Sequence, residues 1–346
     1  MRFSRAAIGA VAAAVAVTSG VGAHAVSLSG AGSTFAQPFY KLWFAKFKQQ
    51  TGTSVDYQAI GSGAGINALK NKTVDFGASD APLSDNDEKT MPYPVVHIPT
   101  AGGAVVMSYH LKGIGCGLRF TPHIIAEIYS GKITMWNDPQ IEAVNFFKNL
   151  PAIPIQPVHR SDGSGTTYIF TSFLSKADSG WASTVGAGKS VNWPVGQGGP
   201  GNPGVVTKVQ QTEGGFGYVE LAYAIQHHLP YGSVQNSAGN FVSPSIATTL
   251  NALQQYTVQL DKDVRTPTVD APGVNSYPIS GLTYILLYQH GGSHTGPTTQ
   301  LWSWCLQPAQ QQMVTTLNYV PLPPGLIKED LAAIKTISGA QLASGG

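Results

Sequence analysis

Four short stretches of the chain carry hydroxyl side chains, and three of them are also rich in glycine: residues 30–35, 61–63, 79–80 and 160–166. Hydroxyl groups, and backbone N–H groups at the start of a helix, bind oxyanions through their partial charges. Arg160 adds a guanidinium, whose planar fork suits phosphate, and Asp80 adds a carboxylate. The four stretches could therefore form one anion site, provided that the fold gathers loops that lie far apart in sequence.

The first three stretches are predicted to lie at the ends of regular elements. Apolar spacing predicts helices over residues 38–50 and 64–70, and alternation predicts strands over residues 55–59 and 74–78. Thr34, Ser62 and Asp80 then each lie where an element ends or a loop begins. Ligands of open α/β sheets bind at such strand ends.

The fourth stretch is predicted to join a strand to a helix. The proline-rich segment 151–157 predicts an extended chain that leads to Arg160, and the apolar residues after Gly165 predict a helix. The first turn of this helix would carry Ser164, Gly165 and Thr166. The segment 186–204 is rich in Gly and Pro, which predicts a surface loop in which Lys189 has no special role.

The remaining patterns complete an α/β fold. They predict a β-rich run over 95–110 broken at Gly102-Gly103, a helix over 121–131, a long helix within 243–263, a strand over 284–288 that could return beside 105–109, and mostly helical segments over 296–318 and 325–337. Alternating helical and extended patterns indicate an α/β class, and the length favours two domains.

The N-terminus has the features of a secretory signal. Arg2 and Arg5 form a basic start, and the apolar run over residues 6–17 is too short to span a bilayer. The small-x-small sequence at residues 23–25 predicts cleavage before Val26, so residues 1–25 are predicted to be a signal peptide and the mature chain to be exported. An uncleaved anchor is the alternative.

The charge balance argues against a nucleic-acid partner. Removal of Arg2 and Arg5 with the signal leaves 18 basic and 18 acidic residues, whereas a nucleic-acid binder normally has a basic excess. The two cysteines, Cys116 and Cys305, could pair in an exported protein, and the sequence leaves this open. Neither cysteine has a nearby histidine or cysteine at ligand spacing, so no metal site and no cofactor is predicted.

Three enzyme-like motifs are incomplete. The glycines at 30 and 32 begin a dinucleotide fingerprint, but Phe35 stands where the third glycine belongs. Residues 186–190 resemble the end of a P-loop, but Ser183 replaces its first glycine. Ser164 lies between glycines, yet Asp162 stands where a nucleophile elbow requires glycine. These departures favour binding over catalysis.

Several longer runs resemble the phosphate-binding periplasmic proteins of the bacterial phosphate ABC transporter, the PstS type. The resemblance covers nearly all of the chain after the signal and includes residues 30–35, 57–62, 73–84, 127–133, 160–166 and 217–220. The runs over 73–84 and 160–166 are the most specific. The resemblance implies a type II periplasmic-binding-protein fold, with two α/β domains, a two-crossing hinge and the ligand cleft between the domains.

The resemblance also implies how the chain divides and which residues bind phosphate. Residues 26–108 plus 277–346 would form domain I and residues 109–276 domain II, with hinge strands near 105–109 and 284–287. Phosphate would be bound by side chains or backbone N–H groups of Thr34, Phe35, Ser62, Asp80, Arg160, Ser164, Gly165 and Thr166. Asp162 would orient Arg160. Gly63 departs from the family pattern, in which a second serine is common, and this would cost a peripheral hydrogen bond.

The implied function is high-affinity binding of inorganic phosphate and its delivery to the membrane permease subunits of an ABC transporter. The expected protein is a monomer and not an enzyme. The carboxylate of Asp80 fits an anion site if it accepts a hydrogen bond from a proton that phosphate carries and sulfate lacks. A secreted phosphatase, or another surface protein that handles phosphate, is the alternative function.

Overall fold

The computed structural model describes residues 26–343, so the predicted signal peptide over residues 1–25 lies outside the described residues. The strands, in chain order, are β1 Ser27–Gly32, β2 Ser54–Gln58, β3 Phe76–Ser79, β4 Val95–His110, β5 Arg119–Phe120, β6 Gln156–Arg160, β7 Gln197–Gly199, β8 Gly215–Glu220, β9 Ser233–Gln235, β10 Phe241–Val242 and β11 Ser280–Tyr288. None of the described helices is long and apolar enough to cross a membrane.

The helices connect and cover these strands. They are α1 Gln37–Thr51, α2 Ser62–Lys70, α3 Asp85–Lys89, α4 Pro122–Tyr129, α5 Pro139–Val144, α6 Gly165–Ala177, α7 Ser179–Thr184, α8 Gly201–Gln211, α9 Leu221–Gln226, α10 Ile246–Gln254, α11 Thr257–Lys262, α12 Thr295–Cys305, α13 Pro308–Met313 and α14 Pro324–Lys335, with a 3-10 helix at Val314–Leu317. The predicted α/β class is confirmed.

Eight strands form one sheet, in the order β2-β1-β3-β11-β4-β8-β6-β7, and β10-β9-β5 form a small second sheet. Two parallel groups lie at the two ends of the large sheet, β1 with β2 and β3, and β6 with β7 and β8. We call the elements around the first group the first lobe and those around the second group the second lobe. The antiparallel strands β11 and β4 lie between the groups.

Strand β4 takes part in both lobes. Its residues Val95–Ala104 pair with β11, and its residues Val105–His110 pair with β8. The prediction that residues 284–288 return beside residues 105–109 is therefore wrong. Tyr288 pairs with Val95 and Tyr284 pairs with Pro99, so β11 lies along the first half of β4. The division of the chain into domains at residues 108/109 and 276/277 stays a prediction.

The predicted break at Gly102-Gly103 is also wrong, because β4 runs through both glycines without interruption. The space that a Cβ would occupy at these positions is filled by other side chains. A Cβ on Gly102 would collide with Leu253, and one on Gly103 would lie 2.5 Å from the ring of Phe35. Here glycine allows close packing against a strand instead of ending it.

The predicted long helix over 243–263 is two helices, α10 and α11, with Gln255 and Tyr256 between them. The Tyr256 hydroxyl donates to the carbonyl of Val269 at 2.9 Å. The predicted strand over 74–78 begins later, at Phe76. Helices α1 and α2 cover the segments predicted for them. The aromatic side of α1 is buried in the first lobe, where Phe39, Tyr40, Trp43 and Phe44 are in the core.

Candidate anion-binding site

The first site loop, residues 33–36, runs from the end of β1 into α1, across the end of β3. The N–H of Ser33 donates to the carbonyl of Ala78 at 2.9 Å. Gly32 has φ +139°, and a Cβ there would collide with the same carbonyl, so only glycine allows this crossing. The hydroxyl of Ser33 accepts a hydrogen bond from Ala36 N at 3.0 Å and donates to Asp80 Oδ1.

Two helix N-termini from different lobes meet at the site. Ser62 begins α2 in the first lobe, and Gly165 begins α6 in the second lobe. Gly63 N donates to the carbonyl of Gly163 at 2.8 Å. A Cβ on Gly165 would lie 2.5 Å from both Asp80 Cβ and Asp80 N, so the approach of the lobes depends on the missing side chain. The lobes are therefore in direct contact where the predicted ligands lie.

Arg160 ends β6 and is held by Asp162. Arg160 Nε donates to Asp162 Oδ1 at 2.8 Å, and Arg160 Nη2 donates to Asp162 Oδ2 at 2.5 Å. The side chain of Arg160 is 1% exposed and that of Asp162 is 22% exposed. Burial alone would raise the pKa of Asp162, but the hydrogen bonds and charge of Arg160 hold that pKa below its usual value. The bidentate pair fixes the plane of the guanidinium.

The hydroxyls of Thr34 and Thr166 lie on either side of Asn202. Thr34 Oγ1 accepts hydrogen bonds from Asn202 N at 3.1 Å and from Asn202 Nδ2 at 3.0 Å. Thr166 Oγ1 accepts from Asn202 Nδ2 at 3.1 Å and from Arg160 Nη1 at 3.2 Å. A hydroxyl has two acceptor lone pairs and one proton. Both oxygens have filled their acceptor capacity, so each hydroxyl has only its proton left for another partner.

Ser62 has the same arrangement. Its Oγ accepts hydrogen bonds from Gly165 N at 2.9 Å and from Asp80 N at 3.3 Å. The Ser62 hydroxyl is thus a third group that can only donate. The three hydroxyls come from different loops and belong to both lobes.

Asp80 is the acceptor of the site and is 2% exposed. Its Oδ1 accepts from the hydroxyl of Ser33 and from that of Thr283, the latter at 2.8 Å. Its Oδ2 lies toward Gly165, 2.6 Å from where a Cβ on that residue would be. Burial raises the pKa of Asp80 to about 6, against the lowering effect of the two hydroxyls and of Arg160. Ser84, and not Asp80, caps the following helix α3.

Phe35 and Ser164 contribute mainly backbone and capping groups. The Phe35 ring is buried in the core, and the Phe35 N–H has no acceptor among residues 26–343. The Ser164 hydroxyl caps α6 by accepting from Thr167 N at 3.0 Å, which leaves its proton for another partner. The structure thus brings all eight predicted ligands and Asp162 into one region, while their role in binding phosphate stays a prediction.

Glu220 adds a buried carboxyl group beside the first site loop. The hydroxyl of Tyr319 lies 2.6 Å from the Phe35 carbonyl oxygen and 2.7 Å from Glu220 Oε2. The Tyr319 hydroxyl is the donor toward both oxygens, and Glu220 Oε2 also accepts from Ala222 N at 2.7 Å. Burial holds the pKa of Glu220 well above its usual value.

Three residues that bond to predicted ligands, Ser33, Thr283 and Asn202, were not predicted to belong to the site. Asn202 was predicted to lie in a surface loop over 186–204, but it is fully buried, because this segment contains β7 and the start of α8. The strand–loop–helix pattern that located the other loops is present here as well. This pattern could not be recognised from the sequence, because β7 is Gln-Gly-Gly and has no apolar side chains to indicate a strand.

Cys116 is exposed and Cys305 is buried, and both are free, so the possible disulfide is not formed. Among residues 26–343 no cluster of histidine, cysteine or acidic residues could hold a metal ion. The ring of His159 stacks on Trp193 with 4.8 Å between centroids, on the opposite side of β6 from the buried Arg160.

Comparison with known proteins defines the class to which this fold and site belong. A family model described as PBP superfamily domain matches residues 17–305. A human phosphate-binding apolipoprotein has a similar fold, with a TM-score of 0.71 and 19% identity, over 92% of this chain and 100% of that one. Two curated relatives, both called phosphate-binding protein PstS, are much closer in sequence.

The relative from Xylella fastidiosa (strain Temecula1) is 42% identical over 307 residues, covering 88% of this chain and 84% of the relative. The relative from Haemophilus influenzae is 39% identical over 317 residues, covering 91% of this chain and 94% of the relative. The chain belongs to the PstS family of phosphate-binding proteins within the PBP superfamily.

Proposed function

We propose that this protein binds one inorganic phosphate ion between its two lobes and delivers it to the permease of a phosphate ABC transporter. The predicted ligands Thr34, Phe35, Ser62, Asp80, Arg160, Ser164, Gly165 and Thr166 would surround the ion. The names of the curated relatives, which describe phosphate-binding proteins, support this ligand. The predicted division into domain I, residues 26–108 plus 277–346, and domain II, residues 109–276, would give each domain part of the site.

The observation that carries the proposal is the balance of donors and acceptors. The hydroxyls of Thr34, Ser62 and Thr166 can only donate, and Arg160 carries a positive charge beside them. Asp80 Oδ2 is the acceptor that faces Gly165. An oxyanion with several acceptor oxygens and one O–H group matches this set. Phosphate has that proton near neutral pH and sulfate does not, so the carboxylate should favour phosphate.

Binding requires a site that opens and closes. The contacts between the lobes bury Arg160, Asp80 and the three hydroxyls, so the ion must enter while the lobes are apart. Charged hydrogen bonds contribute roughly 1.5–3 kcal/mol each. Several of them exceed the cost of closure and allow sub-micromolar affinity, which corresponds to about −8 kcal/mol or beyond. The continuous strand β4 would be one of the two connections between the lobes.

A calorimetric titration of the protein lacking residues 1–25, with phosphate and with sulfate, tests the proposal. We expect one phosphate per chain, no comparable sulfate binding, and a smaller radius of gyration in X-ray scattering when phosphate is bound. A nitrophenyl phosphate ester should not be hydrolysed. Hydrolysis would support the alternative of a secreted phosphatase, and the absence of phosphate binding would refute the proposal.

We also propose that the protein acts as a monomer in the periplasm after removal of residues 1–25. The basic start, the short apolar run and the residues 23–25 support cleavage before Val26. Intact-mass measurement of protein released by osmotic shock tests this. A membrane-bound product that retains residues 1–25 would contradict it, and light scattering of the released protein gives its oligomeric state.

A further inference from the structure

Asn202 is the only described side chain that bonds to hydroxyls of predicted ligands from both lobes. It is fully buried at the second position of α8. Its Nδ2 donates to Thr34 Oγ1 at 3.0 Å in the first lobe and to Thr166 Oγ1 at 3.1 Å in the second lobe. Its Oδ1 accepts from Glu220 N at 3.0 Å. None of the predicted ligand positions includes this residue.

These bonds fix the orientation of the Asn202 amide. If the amide were turned over, Nδ2 would face the donor N–H of Glu220, and two donors would oppose each other in the protein interior. The amide oxygen would then face Thr34 and Thr166, and both hydroxyls would donate to it. In the observed orientation the same hydroxyls receive hydrogen bonds instead, so their protons are directed elsewhere.

We propose that Asn202 is a positioning residue that turns the hydroxyl protons of Thr34 and Thr166 toward the bound anion. The inference rests on the proposed function, because it concerns the same site. It also links hydroxyl orientation to closure. Asn202 belongs to the second lobe and Thr34 to the first, so the hydroxyl of Thr34 becomes a donor of fixed direction only when the lobes meet.

Asn145 provides a matched control, because its hydrogen bonds have the same pattern at another place. It is also fully buried. Its Nδ2 donates to the carbonyls of Arg119 at 2.9 Å and Ile141 at 3.0 Å, and its Oδ1 accepts from Arg119 N at 2.8 Å. A change at Asn145 therefore removes the same number of buried hydrogen bonds as a change at Asn202, without touching a predicted ligand.

Phosphate titrations of Asn202→Ala, Asn202→Asp, Asn145→Ala and Asn145→Asp test the inference, with melting curves for all four variants. Asn202→Ala should bind phosphate about tenfold more weakly than the wild type, because the two hydroxyls are no longer oriented. Asn202→Asp should lose at least about 100-fold at pH 8, because its carboxylate accepts the hydroxyl protons and repels the anion. The Asn145 variants should melt at lower temperature and keep an affinity within about twofold of the wild type.

A pH series separates orientation from a structural effect. The ratio of the wild-type phosphate affinity to that of Asn202→Asp should fall from pH 8 to pH 5.5. The buried carboxyl that Asn202→Asp introduces becomes protonated over this range and can then donate a hydrogen bond to a hydroxyl oxygen, as the amide does. The charged or titratable groups around this position are Arg160, Asp162, Asp80, Glu220 and Tyr223. These groups are present in both proteins, so their own titration affects both affinities and cancels in the ratio. The ratio for Asn202→Ala should stay constant.

The outcomes distinguish this inference from the proposed function. If the wild type does not bind phosphate, the proposed function fails. If the wild type binds and Asn202→Ala stays within about twofold of it, the positioning role is refuted. Wild-type affinity of Asn202→Asp at pH 8 would refute it as well. Each variant is decisive alone, so the failure of one of them to fold leaves a test.

Discussion

Lys189 Nζ lies 2.8 Å from Asp87 Oδ2, so the segment before β7 in the second lobe is joined to helix α3 in the first lobe. The prediction of a surface loop holds for residues 186–196, which lie outside any helix or strand, but Lys189 makes a contact between the lobes that the sequence did not predict. Ser164 N also donates to the carbonyl of Lys189 at 2.9 Å, which connects this segment to the start of α6. Lys189 is thus part of the contact between the two lobes.

Replacement of Lys189 by alanine should weaken phosphate binding slightly. The two side chains are 26% and 41% exposed, and such pairs contribute about 0.2–1 kcal/mol. We expect an affinity loss of at most about fivefold for Lys189→Ala in calorimetry at low salt, and almost none at about 1 M salt, where exposed charges are screened. Lys46→Ala, in an exposed part of α1, is the control. A loss that salt does not change would contradict the ion-pair explanation.

Replacement of Arg160 by alanine should have a much larger effect. It removes the buried cation of the site and leaves Asp162 without its partner, so phosphate affinity should fall by at least about 100-fold. Arg160→Lys should restore only part of the affinity, because an ammonium cannot make the bidentate pair. The control is Arg119→Ala, whose guanidinium lies 5.0 Å from the ring centroid of Phe147. Equal phosphate binding by Arg160→Ala and Arg119→Ala would show that the site is misassigned.

Replacement of Asp80 by asparagine should reduce the preference for phosphate over sulfate. The wild-type carboxylate can only accept when it is ionised, whereas an amide can also donate to an anion that has no proton. Asp80→Asn should bind sulfate more tightly while phosphate binding changes little. Competition titrations of both anions at about pH 7.5 measure the ratio, since phosphate still carries a proton there. If Asp80→Asn has the same phosphate-to-sulfate affinity ratio as the wild type, Asp80 does not act as the proton acceptor.

The same substitution should change the pH dependence of stability without ligand. The folded-state pKa of Asp80 is about 6 and its usual value is 3.8, so the folded protein binds the proton more tightly than the unfolded chain. The stability from this group is therefore complete below about pH 4 and is lost as pH rises through about 6. Asp80→Asn does not ionise, so its melting temperature relative to the wild type should rise between pH 4 and pH 7 and then level off. A constant difference would contradict the raised pKa.

The elements around the first-lobe ligands could be predicted because their sequences have a clear period. The aromatic residues Phe39, Trp43 and Phe47 recur at helical spacing and are buried on one side of α1. The glycine and hydroxyl residues that follow the short strands then located Thr34, Ser62 and Asp80. These loops could be located from local sequence alone, because each of them begins or ends a regular element.

Long-range pairing could not be predicted in the same way. Every residue of β11 is buried, so its sequence has no alternation to indicate a register, and it pairs with a different half of β4 from the one expected. Asn202 was missed for a related reason, because the short β7 has no apolar residues. The hydrogen bonds that fill the acceptor sites of Thr34 and Thr166 depend on this distant residue.

The position of β11 in the sheet determines when the protein can finish folding. β3 and β4 do not pair with each other, because β11, from residues 280–288, lies between them. A nascent chain that ends before residue 280 leaves the facing edges of both strands unpaired, although β6, β7 and β8 are already made. The lobe that is synthesised first is therefore completed last. Pairing across so long a loop is expected to be slow, and the anion site needs residues as late in the chain as Thr283, whose hydroxyl donates to Asp80.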